Sequence, residues 1–254
     1  MKIGEIKEIF ESTDITDIDA VMEPFRADER AGVQKLIVQY TKKKEAHEKE
    51  LRRLYDMKEF ERKYADSPYI CGIDEVGRGP LCGPVVACGV ILPKDAMILH
   101  INDSKKLSEK MREQLYTEII EKAVAVGVGV VSPQVIDEIN ILQATYEAMR
   151  IAISKMEVRP TMLLNDAVHI PEVDIHQVGI IKGDGRSMSI AAASIVAKVT
   201  RDHMMEEYDK LYPQYGLAHN KGYGSKEHIE ALKKYGPCPI HRHTFIKNFV
   251  TETR

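Results

Sequence analysis

The sequence lacks the features that mark several classes of protein. Its cysteines (Cys71, Cys82, Cys88 and Cys238) contain no C-x-x-C pair, so the usual pattern of a structural zinc site is missing. No apolar run reaches the ~18 residues needed to cross a bilayer. The first residues, MKIGEIKEIFESTDITDID, are acidic and do not contain the apolar segment of a signal peptide. We therefore expect reduced core cysteines and a cytoplasmic protein without membrane contact.

Two nucleotide-binding motifs are also missing. No Walker A pattern occurs, which excludes a P-loop ATPase. Gly77, Gly79 and Gly83 are spaced G-x-G-x-x-x-G and precede the strand-like PVVACGVIL, whereas a dinucleotide site requires a helix at that point. Because the formal net charge is only −3, any affinity for nucleic acid must come from local patches.

Residues 1–66 differ from the rest of the chain in their pattern. They contain one proline, Pro24, and from Asp28 onward their apolar residues recur at helical spacing. The stretch KKKEAHEKELRR carries opposite charges four residues apart, which favours a solvent-exposed helix. We interpret residues 1–66 as a helical extension that either is simply solvated or contacts nucleic acid.

From residue 67 to residue 254 the pattern is typical of an α/β domain. Helices are predicted after Ser108, after Asn140 and over residues 187–211. Strands are predicted at residues 69–73, 84–92, 123–131, 161–165 and 178–182. Because two or three consecutive strands come first and strands then alternate with helices, we expect a mixed sheet flanked by helices.

Acidic residues recur where the predicted strands end. Asp74 and Glu75 follow the first strand, Asp166 ends TMLLND, and Asp184 follows VGIIK. In an open α/β sheet, ligands bind at the edge formed by the strands' carboxyl ends. Carboxylates gathered there would repel each other, and two Mg²⁺ or Mn²⁺ ions about 4 Å apart would relieve that repulsion and clamp a phosphodiester. The alternative is a set of separate, solvated loop acids.

Five motifs together carry a resemblance to a known family. GIDEVGRGPLCGPV, NDSKKLS, LLNDAV, IIKGDGRSMSIAAASIVAKVTRD and HNKGYGSKEH, in this order, closely resemble the bacterial ribonuclease HII family over about residues 69–250. The resemblance implies a ribonuclease H-like fold with a helical C-terminal region and a metal-dependent endonuclease, a monomer acting in ribonucleotide removal, replication and repair. Its expected cofactor is Mn²⁺ or Mg²⁺.

The resemblance also implies substrates and site residues. The expected substrates are RNA–DNA hybrids and duplex DNA with one embedded ribonucleotide, incised 5′ to that ribonucleotide to leave 3′-hydroxyl and 5′-phosphate ends. The matching catalytic, metal-binding carboxylates are Asp74, Glu75, Asp166 and Asp184. The residues matching the substrate-binding positions are Gly77, Arg78 and Gly79, which sense the ribose 2′-hydroxyl, Tyr223, which works with them, and Lys105, near the substrate backbone.

Two alternatives to this function remain. One is a ribonuclease HIII-like hydrolase of longer hybrids, although Arg78 between two glycines and a helical N-terminal segment resemble type HII more. The other is a nucleic-acid-binding module without catalysis on the same fold, which would have no need of four acids at strand ends. One departure from the family pattern is Asn165, where an apolar residue is expected; its side chain is expected to alter the hydrogen bonding of the pocket.

The C-terminal region, residues 214–254, is modestly basic and contains interspersed tyrosines. Basic side chains beside aromatic ones suit contact with a duplex backbone, and a solvated basic face is the alternative. His241 and His243 flank Arg242, and we expect this tripeptide to contact phosphates rather than a metal.

Overall fold

Residues 1–250 are described by a computed structural model, in which the chain divides into two compact units, Met1–Asp56 and Met57–Arg254. The first unit is helical, as predicted. Its helices are α1 (Ile3–Ser12), α2 (Ile18–Met22) and α3 (Ala31–Met57), with a 3₁₀ turn at Glu23–Phe25. Phe10 lies at the centre of this unit's core, with its ring edge-on to Phe25 and Tyr40 at centroid distances of 5.7 and 5.3 Å.

The second unit is built on a mixed sheet, which confirms the predicted fold class. Its strands are β1 (Ile70–Val76), β2 (Val85–Ile91), β3 (Ala125–Val131), β4 (Met162–Asp166) and β5 (His176–Ile180). They lie in the order β3-β2-β1-β4-β5. β1 pairs antiparallel with β2 and parallel with β4, which in turn is parallel to β5. β5 begins two residues before the predicted strand.

Helices surround this sheet. They are α4 (Glu59–Lys63), α5 (Glu109–Lys122), α6 (Pro133–Ser154), α7 (Met188–Leu211), α8 (Leu217–Asn220), α9 (Lys226–Tyr235) and α10 (His243–Ile246). Short 3₁₀ turns occur at Ser104–Lys106, Gly183–Gly185 and Pro213–Tyr215. Within residues 1–250, no helix combines the length and apolar character needed to cross a membrane.

Glycines allow α6 and α7 to approach the strands closely. A Cβ atom at Gly129 of β3 would lie 1.8 Å from the carbonyl oxygen of Ala148 in α6. A Cβ atom at Gly72 of β1 would lie 2.1 Å from the backbone of Ser189 in α7. No larger residue fits at either position, so both helices are held directly against the sheet beside the strand ends.

The predicted helix after Asn140 forms the second part of α6. Asn140 has φ 66° and ψ 164°, which are not helical angles, and it divides the helix into two segments. Its side-chain oxygen accepts hydrogen bonds from the backbone N–H groups of Leu142 and Gln143 at 3.0 and 3.2 Å, so it caps the second segment. The first segment, from Pro133, was not predicted.

Residues just before β1 pack within the second unit. Phe60 and Tyr64 contact the buried cluster of Met162, Leu164 and Ile180. Glu61 accepts hydrogen bonds at the N-terminus of α7, from the Ser187 hydroxyl at 2.6 Å and from the Ser189 amide at 3.0 Å. A carboxylate at this helix end is stabilised by the helix dipole.

Candidate active site

Asp74 and Glu75 lie where the two sides of β1 differ in length. Along β2 the pairing continues past both acids, with Asp74 opposite Cys88 and Glu75 opposite Ala87. Along β4 it ends at Ile73, opposite Asn165. The sequence placed the end of this strand before Asp74, but β1 continues to Val76. What ends before Asp74 is the pairing with β4. This leaves both acids beside the carboxyl end of β4.

Asp166 and Asp184 lie at the same edge of the sheet. Asp166 is the last residue of β4, and its Oδ1 accepts a hydrogen bond from the Gly183 amide at 2.7 Å. Asp184 follows in the 3₁₀ turn Gly183–Gly185, after β5. Because β1, β4 and β5 are parallel neighbours, their carboxyl ends bring the acids to one edge.

The charges of these acids affect one another. Burial raises the pKa of the Asp74 carboxyl well above its ordinary value, and the charges of Glu75 and Asp166 raise it further. Ser194 of α7 opposes this rise by hydrogen-bonding to Asp74. Burial also raises the pKa of Glu75, a shift to which Asp166 adds. The environment of Asp74 and Glu75 therefore disfavours the charged forms of both carboxyl groups.

Asp103 is an additional acid at this edge that the sequence did not predict. Burial raises the pKa of Asp184, and Asp103 and Asp166 raise it further by repulsion. Asp103 also accepts a hydrogen bond from the Lys105 amide at 2.9 Å, which caps the 3₁₀ turn Ser104–Lys106. The positive charge of Lys105 lowers the pKa of Glu75 and Asp184, so this lysine lies within electrostatic reach of both acids.

The donor chemistry fits a hard divalent cation. The clustered side chains offer carboxylate oxygens, which Mg²⁺ and Mn²⁺ prefer. Burial and, after it, repulsion by neighbouring acids raise the pKa of Asp74 and Asp184, and a bound cation would oppose both shifts. Asp74, Glu75, Asp166 and Asp184 are therefore the residues able to hold such ions.

The glycine loop after β1 lies beside Tyr223. Gly77 has φ 90°, which favours glycine, and a Cβ atom at Gly79 would lie 3.9 Å from Cε1 of the Tyr223 ring. Tyr223 itself is 45% exposed. Arg78 points back toward the acids, with its Nη1 3.4 Å from Oε1 of Glu75. The structure thus brings the predicted loop, the tyrosine and the carboxylates into one region.

The expectation that His241 and Arg242 contact phosphates is wrong. Arg242 is completely buried and His241 is 1% exposed, so neither can reach a duplex. The guanidinium of Arg242 instead donates hydrogen bonds to backbone carbonyls, including that of Gly77 at 2.6 Å. The end of the basic region, residues 251–254, lies outside the described residues.

The side chain of Asn165 forms hydrogen bonds with the segment that follows β4 and with β5, not with the carboxylates of the sheet edge. It is fully buried, and its Nδ2 donates to the side-chain oxygen of Gln177 at 2.9 Å and to the carbonyl of Val168 at 3.3 Å. The same Gln177 oxygen accepts from the Ile170 amide at 2.9 Å. The polar departure at Asn165 therefore organises the connection between β4 and β5.

Comparisons with known proteins agree along the whole chain. A family model described as Ribonuclease HII matches residues 71–248, and one described as Ribonuclease HII N-terminal domain matches residues 2–65. A ribonuclease HII of Lachnoclostridium phytofermentans is 59% identical over 251 residues, covering 99% of both chains. The chain belongs to the ribonuclease HII family. It is therefore an endonuclease that cleaves RNA in RNA–DNA hybrids.

Further relatives support the family and its fold. A ribonuclease HII of Acetivibrio thermocellus is 50% identical over 250 residues, covering 96% of this chain and 98% of that protein. The crystal structure of ribonuclease H2 from Pyrococcus horikoshii superposes with a TM-score of 0.60 at 27% identity, covering 71% of this chain and 96% of that one. The match of residues 2–65 to the ribonuclease HII N-terminal domain also favours type HII over the type HIII alternative.

Proposed function

We propose that this ribonuclease HII, besides cleaving hybrids, incises duplex DNA on the 5′ side of a single embedded ribonucleotide, using Mg²⁺ or Mn²⁺. The observation that carries the proposal is that Gly79 lies next to the half-exposed ring of Tyr223, beside the carboxylate cluster. One surface thus offers a small-residue loop and an aromatic ring where a sugar would lie, next to groups able to hold metal.

The carboxylates would hold the ions that perform the chemistry. Asp74, Glu75, Asp166 and Asp184 supply oxygen ligands, and bound Mg²⁺ or Mn²⁺ supplies an activated water and stabilises charge on the phosphodiester. Lys105, held by the Asp103 cap, would place a positive charge near the substrate backbone. The Ser194 hydroxyl would orient the buried Asp74 carboxylate.

Recognition of the ribonucleotide would depend on its 2′-hydroxyl. This group both donates and accepts hydrogen bonds and is the feature of the sugar that distinguishes RNA from DNA. The loop of Gly77, Arg78 and Gly79 approaches without bulky side chains at two of three positions, and Tyr223 would stack on the neighbouring sugar. When deoxyribose binds instead, polar groups arranged for the hydroxyl lose a partner, which costs roughly 1–3 kcal/mol for each group.

The N-terminal helical extension, residues 1–66, would add contacts to the duplex. Its long helix α3 carries several lysines and no cluster of acids comparable to the one at the sheet edge. The helical C-terminal region would hold the substrate with Tyr223 at its centre. Both regions would contribute to binding rather than to the chemical step.

Three duplexes of the same sequence test the proposed function. One contains a single ribonucleotide, the second a long RNA strand paired with DNA, and the third only DNA. We expect cleavage of the first two in Mg²⁺ or Mn²⁺, none of the third, and none of any in excess EDTA. Cleavage of the hybrid without cleavage of the single-ribonucleotide duplex would refute the proposal.

A further inference from the structure

Arg242 is a buried cation that holds the glycine loop by its carbonyls. Its Nη2 donates to Gly77 at 2.6 Å and its Nη1 donates to Arg78 at 2.9 Å. Nε and Nη2 both donate to the Gly83 carbonyl, at 3.0 and 2.8 Å. Within residues 1–250, the hydrogen bonds of the guanidinium all go to backbone carbonyls of one loop.

These bonds determine which way the loop's amide groups face. A trans peptide is planar, and its C=O and N–H point in opposite directions. Since Arg242 holds the carbonyls of Gly77 and Arg78, the N–H groups of Arg78 and Gly79 point away from Arg242. Neither N–H has a protein acceptor within residues 1–250. The loop therefore presents two fixed donors on the side opposite Arg242.

His241, the preceding residue, belongs to a hydrogen-bond chain that ends at Tyr223. Nδ1 of His241 faces the Cys238 amide at 3.0 Å, and its Nε2 lies 3.1 Å from Nε2 of His228. Nδ1 of His228 lies 2.9 Å from the carbonyl oxygen of Tyr223. Both imidazoles are buried, with exposures of 1% or less.

The ends of this chain determine the tautomers. An amide N–H can only donate, so Nδ1 of His241 accepts and its Nε2 carries the proton. A carbonyl can only accept, so Nδ1 of His228 carries a proton and its Nε2 accepts from His241. Burial lowers the pKa of His241 to about 4, so the imidazole is neutral at physiological pH.

Backbone bonds join the two halves of this arrangement. The backbone amide of Leu81 donates to the Gly222 carbonyl at 2.8 Å, and the backbone amide of Arg242 donates to the Leu81 carbonyl at 2.9 Å. Arg201 of α7 also bridges the two loops, because it donates to the carbonyls of Pro84 at 3.0 Å and Lys221 at 2.8 Å. The glycine loop, the Tyr223 loop and residues 241–242 thus form one hydrogen-bonded unit.

We infer that the dipeptide His241–Arg242 is a positioning unit for ribonucleotide recognition, in which Arg242 orients the amides of the glycine loop and His241, through His228, orients the Tyr223 loop. The inference rests on the proposed function, because it concerns the same recognition surface. Neither side chain touches the substrate. Their effect is on specificity, since a displacement of about 1 Å at a reacting group can cost about a hundredfold in rate.

The test compares rates on the single-ribonucleotide duplex and on the long hybrid for the full-length protein. Arg242→Lys keeps the positive charge but loses the planar set of donors that reaches three carbonyls. His228→Leu removes the ring's hydrogen bonds to His241 and to the Tyr223 carbonyl, whereas His228→Asn retains a donor close to the position of Nδ1. Met149→Ala is the control, because Met149 is equally buried in α6 but lies outside this network.

We expect Arg242→Lys and His228→Leu to lower the ratio of kcat/KM on the single-ribonucleotide duplex to that on the hybrid by roughly tenfold or more. His228→Asn should recover part of that ratio, and Met149→Ala should lose stability with the ratio unchanged. Hydrogen exchange of residues 77–84 should quicken in Arg242→Lys, and that of residues 220–224 in His228→Leu. Equal losses on both substrates, with exchange at these loops unchanged, would overturn the inference.

Two further measurements separate this inference from its alternatives. Tyr223→Ala serves as the reference. If this variant lowers the ratio of kcat/KM values and neither Arg242→Lys nor His228→Leu lowers it, the inference fails and the proposed function stands. If Tyr223→Ala keeps the ratio, the recognition role of Tyr223 fails and this inference fails with it, whereas the proposed function fails only if the parent protein does not incise the single-ribonucleotide duplex. Donor atoms of Cys82, His228 and His241 lie within 4.8 Å of one another, so zinc content is also measured. One zinc per chain would overturn the hydrogen-bond chain; we expect none.

Discussion

The ring of Tyr223 lies beside Gly79, at a distance that leaves room for a methyl group on that glycine. A Cβ atom at Gly79 would be 3.9 Å from Cε1 of that ring, an ordinary van der Waals contact. At Gly77 a Cβ atom would lie 2.3 Å from Nε of the buried Arg201, and its φ of 90° would be strained. The two glycines of the loop thus have different physical reasons for lacking a side chain.

Gly79→Ala should therefore fold normally and lose specificity. The added methyl group would occupy the space between loop and tyrosine where the ribose must approach. We expect cleavage at a single embedded ribonucleotide to fall about tenfold more than cleavage of a long hybrid, for the loss of one fixed polar contact. Gly77→Ala should lower the Tm instead. Equal Tm losses in both variants, measured by thermal unfolding, would contradict this distinction.

Tyr223→Ala should reduce cleavage at a single ribonucleotide severely, and more than cleavage of a long hybrid. Loss of the ring removes stacking on the neighbouring sugar and one polar group, which amounts to about 10- to 100-fold in rate. Tyr223→Phe separates the two contributions, because it keeps the ring and loses the hydroxyl. Small, equal losses on both substrates in steady-state assays would refute the role of Tyr223.

The acid cluster predicts how the metal-free protein responds to pH. Folding raises the pKa of Asp74, Glu75 and Asp184, so near these values the folded state binds more protons than the unfolded state. Stability must then fall as the pH rises through the raised values, and the penalty disappears below the ordinary carboxyl pKa of about 4. In EDTA, lowering the pH from 7 should therefore reduce the loss of Tm that these buried carboxylates cause.

Asp74→Asn should accordingly stabilise the metal-free protein while abolishing turnover. At pH 7 in EDTA we expect its Tm to exceed that of the parent by at least about 2 °C, and Mn²⁺ should raise the parent's Tm more than the variant's. Asp95→Asn, a change at an exposed acid, should alter neither value. A variant that is less stable than the parent in EDTA would show that burial and the neighbouring charges do not destabilise the Asp74 carboxylate.

Deleting the N-terminal extension should have two different outcomes according to its endpoint. Loss of residues 1–56 removes a separate compact unit and should raise KM with kcat little changed, as expected for lost uniform binding. Loss of residues 1–66 also removes Phe60 and Tyr64 from the core and Glu61 from the end of α7, and should lower the Tm as well. An unchanged KM for the first deletion would favour a merely solvated helix.

The sequence predicted those features that depend on local pattern. Asp166 and Asp184 follow short apolar runs, and the rule that parallel strands share one ligand-binding edge was enough to place them together. The alternation of apolar residues and glycines in AVAVGVGVV predicted a strand, and this segment forms β3. The family resemblance supplied the roles, which spacing alone could not assign.

Features that depend on the folded backbone were not predicted. Asp103 lies in a loop with no periodic pattern, and only the tertiary structure brings it to Asp184. Arg242 was interpreted as a surface charge because basic residues are seldom buried, yet backbone carbonyls of a distant loop surround it. A signal did exist for Arg201, which lies at helical spacing between the buried Ala197 and Met205.

The position and chemistry of the nick in a duplex with one ribonucleotide test the proposed function most directly. The 5′-labelled ribonucleotide-containing strand is cut by the parent protein in Mg²⁺ and its product is compared with markers, with Asp74→Asn as the inactive control. We predict a single nick on the 5′ side of the ribonucleotide, a free 3′-hydroxyl on the upstream fragment and a 5′-phosphate on the downstream one. A nick on the 3′ side, a cyclic phosphate end, or equal cutting by Asp74→Asn would contradict the account.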